Sequence, residues 1–156
     1  MLNRLRSPGI VSVAAVQGYA IGAGAQLALA CDLRILTDDA QLRLPEATLG
    51  LVPDLTGTSN LVELVGYTRA LELCLTGRAM GAAEARAVGL ANLVVPLAEL
   101  DDAVADLVAA LTAVPVGAAR ATAELVRSAV RNDPETQDAA ERAAQVRRIG
   151  ELVRGR

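Results

Sequence analysis

No histidine, phenylalanine or tryptophan occurs among the 156 residues, and cysteine and tyrosine appear only twice each. The missing histidines exclude a Ser-His-Asp triad, histidine-ligated zinc and any imidazole acid or base from this chain. Cys31 and Cys74 show no Cys-x-x-Cys spacing. They are expected to be reduced, buried small hydrophobes in a cytoplasmic protein, because the N-terminus lacks the order of a signal peptide. With so few aromatic rings, bases find little to stack on, and a net charge of −3 supplies no field that attracts phosphates. Nucleic acid is therefore not an expected partner, and no metal site is expected.

What the chain has is aliphatic. Hydrophobic residues make up 53% of it, drawn from Ala, Val and Leu, enough for one core and too few residues for two ordinary domains. The densest stretch is GIVSVAAVQGYAIGAGAQLALACD, from Gly9 to Asp32, uncharged as far as Cys31. Its length would suit a membrane span, and Gly18-Tyr-Ala-Ile-Gly22 matches Gly-x-x-x-Gly. Against a span stand Ser12, Gln17, Gln26 and the central glycines, and the shift from Val/Ile to Ala/Leu suggests a strand followed by a helix. A dinucleotide loop fits less well, since Leu27 stands where a third glycine belongs.

The expected order begins with a strand over Ile10–Val16, covered on both faces, then a tight turn at Gly22 and Gly24 into a helix over Ala25–Cys31. A strand over Leu33–Leu36 and a turn at Thr37–Asp39 follow. Pro45, Gly50, Pro53 and Gly57 punctuate an irregular segment. Thr58–Leu75 reads as helix broken at Gly66, Ala82–Val88 as a short helix and Asn92–Val95 as a strand. From Leu97 onward all is helix. Leu100, Val104, Leu107, Val108 and Leu111 form one apolar stripe, Ala118, Ala121, Leu125 and Ala129 a second, and Ala139, Ala143 and Val146 a third. Asp133-Pro134-Glu135 is a cap, first-turn proline and N-terminal acid. Arg127, Arg131, Arg142, Arg147 and Arg148 are read as a solvated face, with phosphate binding as the alternative. The class is α/β, with a strand–helix part over 1–96 and a helical layer over 97–156.

A helix that starts abruptly after a buried strand presents unpaired N–H groups, which favour a negative oxygen. At this point the sequence resembles the crotonase superfamily, the enoyl-CoA hydratases and isomerases. AAVQGYAIGAGAQLALACDLRI is similar to its strand–turn–helix motif, LPEATLGLVPDLTGT to the next block and LTGRAMGAAEARAVGLANLVV to the third. The resemblance implies a ββα spiral (its C-terminal portion here), a C-terminal trimerisation layer, and a homotrimer or hexamer. It also implies acyl-CoA substrates handled through an enolate, with no cofactor beyond the coenzyme A of the substrate.

The resemblance assigns roles by position. Ala23 stands where a backbone N–H binds the thioester oxygen, flanked by Gly22 in the substrate pocket. Gln26 replaces the first of two catalytic glutamates, so hydration by a two-glutamate route is not expected; its amide is either a pocket hydrogen-bonder or inert. Glu46 matches the second glutamate, the alternative being a surface acid. Asp54 is similar to the second acid of dienoyl-CoA isomerases, or else caps a helix. An isomerase-like enzyme is expected, lacking the N-terminal part of the usual domain, since Met1–Arg6 looks like the end of a preceding helix. The competing expectation is a catalytically silent subunit or truncated fragment.

Overall fold

The computed structural model describes Leu5, Ser7 and residues 9–154. The helix end expected over Met1–Arg6 lies outside the described residues except for Leu5. Among the described residues the elements run β1 (Val13–Val16), β2 (Tyr19–Ile21), α1 (Ala23–Ala30), β3 (Leu33–Thr37), β4 (Gln41–Arg43), α2 (Gly57–Val65), α3 (Tyr67–Thr76), β5 (Met80–Gly81), α4 (Ala82–Ala87), β6 (Leu93–Val95), α5 (Leu100–Thr112), α6 (Val116–Ala129) and α7 (Pro134–Arg154). Short 3-10 turns occupy Glu46–Leu49 and Leu97–Glu99. Two compact units result, one over Val11–Leu107 and one over 108–154 with Gly9 and Ile10. The division falls inside α5, whereas composition placed a boundary at 96–97.

In the first unit β3 is the centre of a parallel sheet ordered β1-β3-β6, with Ile35 opposite Ala15 on one side and Leu93 on the other. A central parallel strand is covered on both faces, so its side chains must be apolar or fully bonded. Ile35 and Leu36 are accordingly 0% exposed. Arg34 is the exception in kind. Its buried guanidinium donates from Nε to Leu90 O (2.7 Å), from Nη1 to Cys31 O (2.6 Å) and Ala28 O (3.4 Å), and from Nη2 to Asp32 O (3.1 Å). It thereby gives donors to the Cys31 and Asp32 carbonyls just past α1 and to Leu90 O ahead of β6. The second sheet is ordered β2-β4-β5, parallel between β2 and β4 and antiparallel between β4 and β5. Leu29, Leu42, Leu44, Leu61, Leu73 and Met80 fill one core with α1, α2 and α3 around it.

The short strands β4 and β5 were not expected, and β1, expected to be covered on both faces, is an edge strand with Ala15 exposed; three further departures have clear causes. The strand expected over Ile10–Val16 is regular only over Val13–Val16, and an unforeseen strand, β2, follows Gly18. Three residues are too few to show a period, and Gly18, at φ 60°, turns the chain from one sheet into the other. Next, α1 begins at Ala23 rather than Ala25, because Gly22 alone makes the turn; its φ of 53° and ψ of −117° suit only glycine. Residues 9–32 are thus strand, strand and helix, and no single described helix is long and apolar enough to cross a membrane.

The third difference lies in the second unit. Ala139, Ala143 and Val146 are exposed, while Ala144 is buried and Gln137 and Arg148 are half-buried. The inner face of α7 is therefore displaced from the expected stripe and carries polar residues. Gln137 Nε2 donates to Leu125 O (3.1 Å), and Gln137 Oε1 accepts from Ser128 Oγ (3.0 Å) and Asn132 Nδ2 (3.1 Å). Arg148 lies over Gly117 and pairs with Glu151. Apolarity could not mark a face whose contacts are hydrogen bonds. The cap at Asp133 holds: Oδ1 accepts the Thr136 N–H at 2.9 Å, and the Thr136 hydroxyl and backbone bonds hold this carboxyl below its usual range.

Candidate active site

Glu46 enters the interior from the 3-10 turn that follows β4. It is 9% exposed, so its carboxylate must find partners or a ligand. One oxygen, Oε1, accepts from Gln26 Nε2 at 2.8 Å. The other, Oε2, is buried and has no partner among the described residues. Buried polar atoms without a bond are uncommon, and a carboxylate oxygen in that state is one that can take a proton or a donor from a ligand.

Gln26 comes from the first turns of α1 and is 1% exposed. Its Oε1 accepts the Leu55 N–H at 2.7 Å, so both ends of the amide are engaged. Gly57 makes the room, since a Cβ there would stand 2.7 Å from Gln26 Cγ and 2.8 Å from Oε1. Gly22 is the residue beside Glu46 on the other side: a Cβ on Gly22 would be 3.5 Å from Glu46 Oε1. The carboxylate therefore sits next to the start of α1. Ala23 opens that helix, exposed, with no side chain capping the first turn. Helix geometry leaves the leading N–H groups without intrahelical partners, and the macrodipole favours negative charge near them.

Gly22, Ala23, Gln26 and Glu46 are thus one cluster, with the start of α1 at its centre. Asp54 is placed differently. It is exposed, precedes Leu55 in the segment tied to Gln26, and makes no side-chain bond among the described residues. It does not cap α2, whose N-cap is Thr56 with no side-chain cap bond. Thr56 itself holds a φ of 63°, rare for a β-branched residue, steadied by Asn60 Nδ2 donating to Thr56 Oγ1 at 3.0 Å.

The sequence did not single out Leu55, Gly57 or Cys74 at this site. Burial, together with the nearby Glu46 charge, pushes the Cys74 thiol up, so it stays a thiol rather than a nucleophilic thiolate. Of the arginines expected to form a solvated face, Arg142 pairs with Asp138 in the open, whereas Arg148 pairs with Glu151 but is half-buried over Gly117 and the half-buried Arg127 donates from Nη2 to Ile10 O. No group of three or more His, Cys, Asp or Glu among the described residues could hold a metal ion.

The two small sheets, the helix starting at Gly22 and the carboxylate beside it define the α/β fold of the crotonase superfamily. A profile of the enoyl-CoA hydratase/isomerase family matches residues 1–152. The chain belongs to that family. It is 60% identical to the protein whose crystal structure is named a putative enoyl-CoA hydratase from Thermobifida fusca YX, with a TM-score of 0.97, covering 99% of this chain and 60% of that one. The same Thermobifida protein has been solved in complex with acetoacetyl-CoA (TM-score 0.94, 61% identity, 96% of this chain and 59% of that one). A probable enoyl-CoA hydratase of Mycobacterium bovis is 38% identical over 128 residues, 82% of this chain and 49% of that protein. The peroxisomal fatty acid beta-oxidation multifunctional protein MFP2 of Arabidopsis thaliana is 48% identical over 100 residues, 64% of this chain and 13% of its own length. The chain thus spans about half the length of the Mycobacterium relative and far less of the plant protein.

Proposed function

We propose that this chain supplies the acid–base and enolate-stabilising half of an acyl-CoA site, and that its chemistry is isomerase-like. One observation carries the reading: Glu46 is buried beside the start of α1 with Oε2 unpartnered. Removing a proton next to a thioester carbonyl moves charge onto the carbonyl oxygen. The Ala23 N–H, at a helix start and free of side-chain competition, suits that oxygen. Glu46 takes the proton and returns it at another carbon, a shift of a double bond that needs neither water nor metal. Gln26 offers an amide where a second carboxylate would have to activate water, which argues against efficient hydration. Asp54, outside the cluster but next to Leu55, whose N–H is bonded to Gln26, is proposed as the second proton carrier for conjugated substrates. Acyl-CoA binding in the Thermobifida relative supports the substrate class. The exposed Val126, Val130, Val146 and Ile149 support assembly into a homotrimer or hexamer.

The test assays the chain alone and joined to the N-terminal segment of the Thermobifida relative, following 3-enoyl-, dienoyl- and 2-enoyl-CoA by ultraviolet absorbance. Glu46→Gln is expected to lower isomerisation about 10²–10⁴-fold, the range of general acid–base catalysis. Asp54→Asn is expected to lower dienoyl turnover and spare the 3-enoyl substrate. Hydration of 2-enoyl-CoA that survives Glu46→Gln would overturn the assignment.

A further inference from the structure

Gln26 stands where acid–base chemistry would predict either a second acid or nothing of consequence, yet it is among the most deeply buried polar groups in the chain. We propose that Gln26 is a positioning residue: its amide fixes which oxygen of Glu46 faces the ligand and ties that choice to the backbone at Leu55. This rests on the proposed role of Glu46 and adds the device that orients it.

A carboxylate is symmetric and can turn its two oxygens over, whereas an amide has one accepting and one donating end. The Leu55 N–H, at 2.7 Å, must face the Gln26 oxygen, so the NH2 end must face Glu46, at 2.8 Å. Turning the amide over would set donor against donor at Leu55 and acceptor against acceptor at Glu46. Each bond therefore enforces the other, and the bond to the carboxylate is charge-assisted. Oε1 is held, and Oε2 is left as the atom that exchanges a proton. Gly57 keeps the amide in place by leaving no slack: a Cβ there would overlap Gln26 Cγ and Oε1. A glutamate at position 26 could accept from Leu55 equally well but would bring a carboxylate oxygen to the same distance from Glu46. Two carboxylates that close do not both ionise; they share one proton. The amide thus gives Glu46 a proton inventory of its own.

The experiment uses the chain itself, carbon-13 labelled at glutamate carboxyls and nitrogen-15 labelled at glutamine amides, with NMR titration against pH. In the wild type one Gln26 side-chain amide proton should be shifted downfield and slow to exchange, and Glu46→Ala should abolish that shift. In Gln26→Glu the carboxyls of residues 26 and 46 should titrate as a coupled pair, the upper step raised by about one pH unit or more. Gln26→Met should speed exchange of the Leu55 amide proton at least tenfold. With the activity of the wild type as reference, it should lower kcat for 3-enoyl-CoA about 10–100-fold with KM little changed. A Gln26 amide as labile as an exposed glutamine, or two independent titrations in Gln26→Glu, overturns the positioning role whatever the activity. Coupled titration in a chain without turnover upholds the positioning and counts instead against the catalytic reading of Glu46.

Discussion

The two compact units use opposite means to hold together. In the first, interior side chains from Val16 to Leu100 are shielded from water around β3 and α1; in the second, Ala144 is the one buried residue among those described. Its helices α6 and α7 are joined through the Gln137 bonds and through Arg148 lying over Gly117, while Val126, Val130, Val146 and Ile149 face outward. A unit with that little shielded apolar surface gains little from the hydrophobic effect, whose size follows the area removed from water. The first unit can hold a carboxylate in a fixed, shielded place; the second leaves its apolar side chains exposed.

Point substitutions can break or sharpen this contrast. Leu36→Ala, at the centre of β3, should cost about 2–5 kcal/mol, while Val146→Ala should change stability by less than about 0.5 kcal/mol. Urea midpoints of the two variants measure the difference, and equal losses would refute the contrast. The next largest effect comes from two glycines with similarly tight surroundings. Gly57→Ala drives a methyl into Gln26, which is buried and bonded at both ends, and should cost about 1–3 kcal/mol while disturbing Glu46. Gly117→Ala meets only the Arg148 guanidinium, the mobile end of a long side chain. Arg148 can step aside, and the helix should gain up to about 1 kcal/mol. Thermal unfolding of the pair, with opposite signs expected, decides it.

The smallest effect concerns the exposed cluster in which Arg78 bonds Glu72 and Glu84, at 2.7 Å each, linking α3 to α4. Hydrogen bonds from Arg78 hold both carboxyls below the ordinary glutamate value of 4.5. Because the folded values are lowered, the stabilisation is present above that pH and lost as pH falls through them. Arg78→Met should therefore lower the urea midpoint slightly near neutrality and converge with the wild type in acid. Added salt should shrink the gap, as for any exposed pair. A gap that widens toward acid would contradict the sign.

Much of the site was legible because its parts are backbone signals. Gly22 marks a turn that other residues cannot make, and the matching blocks place Ala23, Gln26 and Glu46 in order. The helices divided at Gly66, the short α4 and β6 were visible in periodicity and punctuation. What stayed hidden was three-dimensional pairing. Nothing in the run from Glu46 to Gly57 announces that the Leu55 N–H faces Gln26, or that Gly57 is small for the sake of a side chain on another helix. Arg34 reads as a charge in a strand and proves to be a donor for four carbonyls. The inner face of α7 was missed for the same reason, because hydrogen-bonded contacts leave no apolar stripe.

The Arg34 arrangement also bears on how α1 responds when charge appears at its start. The helix is anchored at its origin by the Gly22 N–H donating to Arg43 O at 2.9 Å, and near its end by the guanidinium on Ala28 O and Cys31 O. Water answers a new charge by turning its dipoles, and that turning is a large part of the barrier in solution. Peptide dipoles pinned at both ends are already aligned and have little left to turn. A negative oxygen at the first turn would meet a field already fixed by the fold, with little of the dipole turning that a solvent would have to perform.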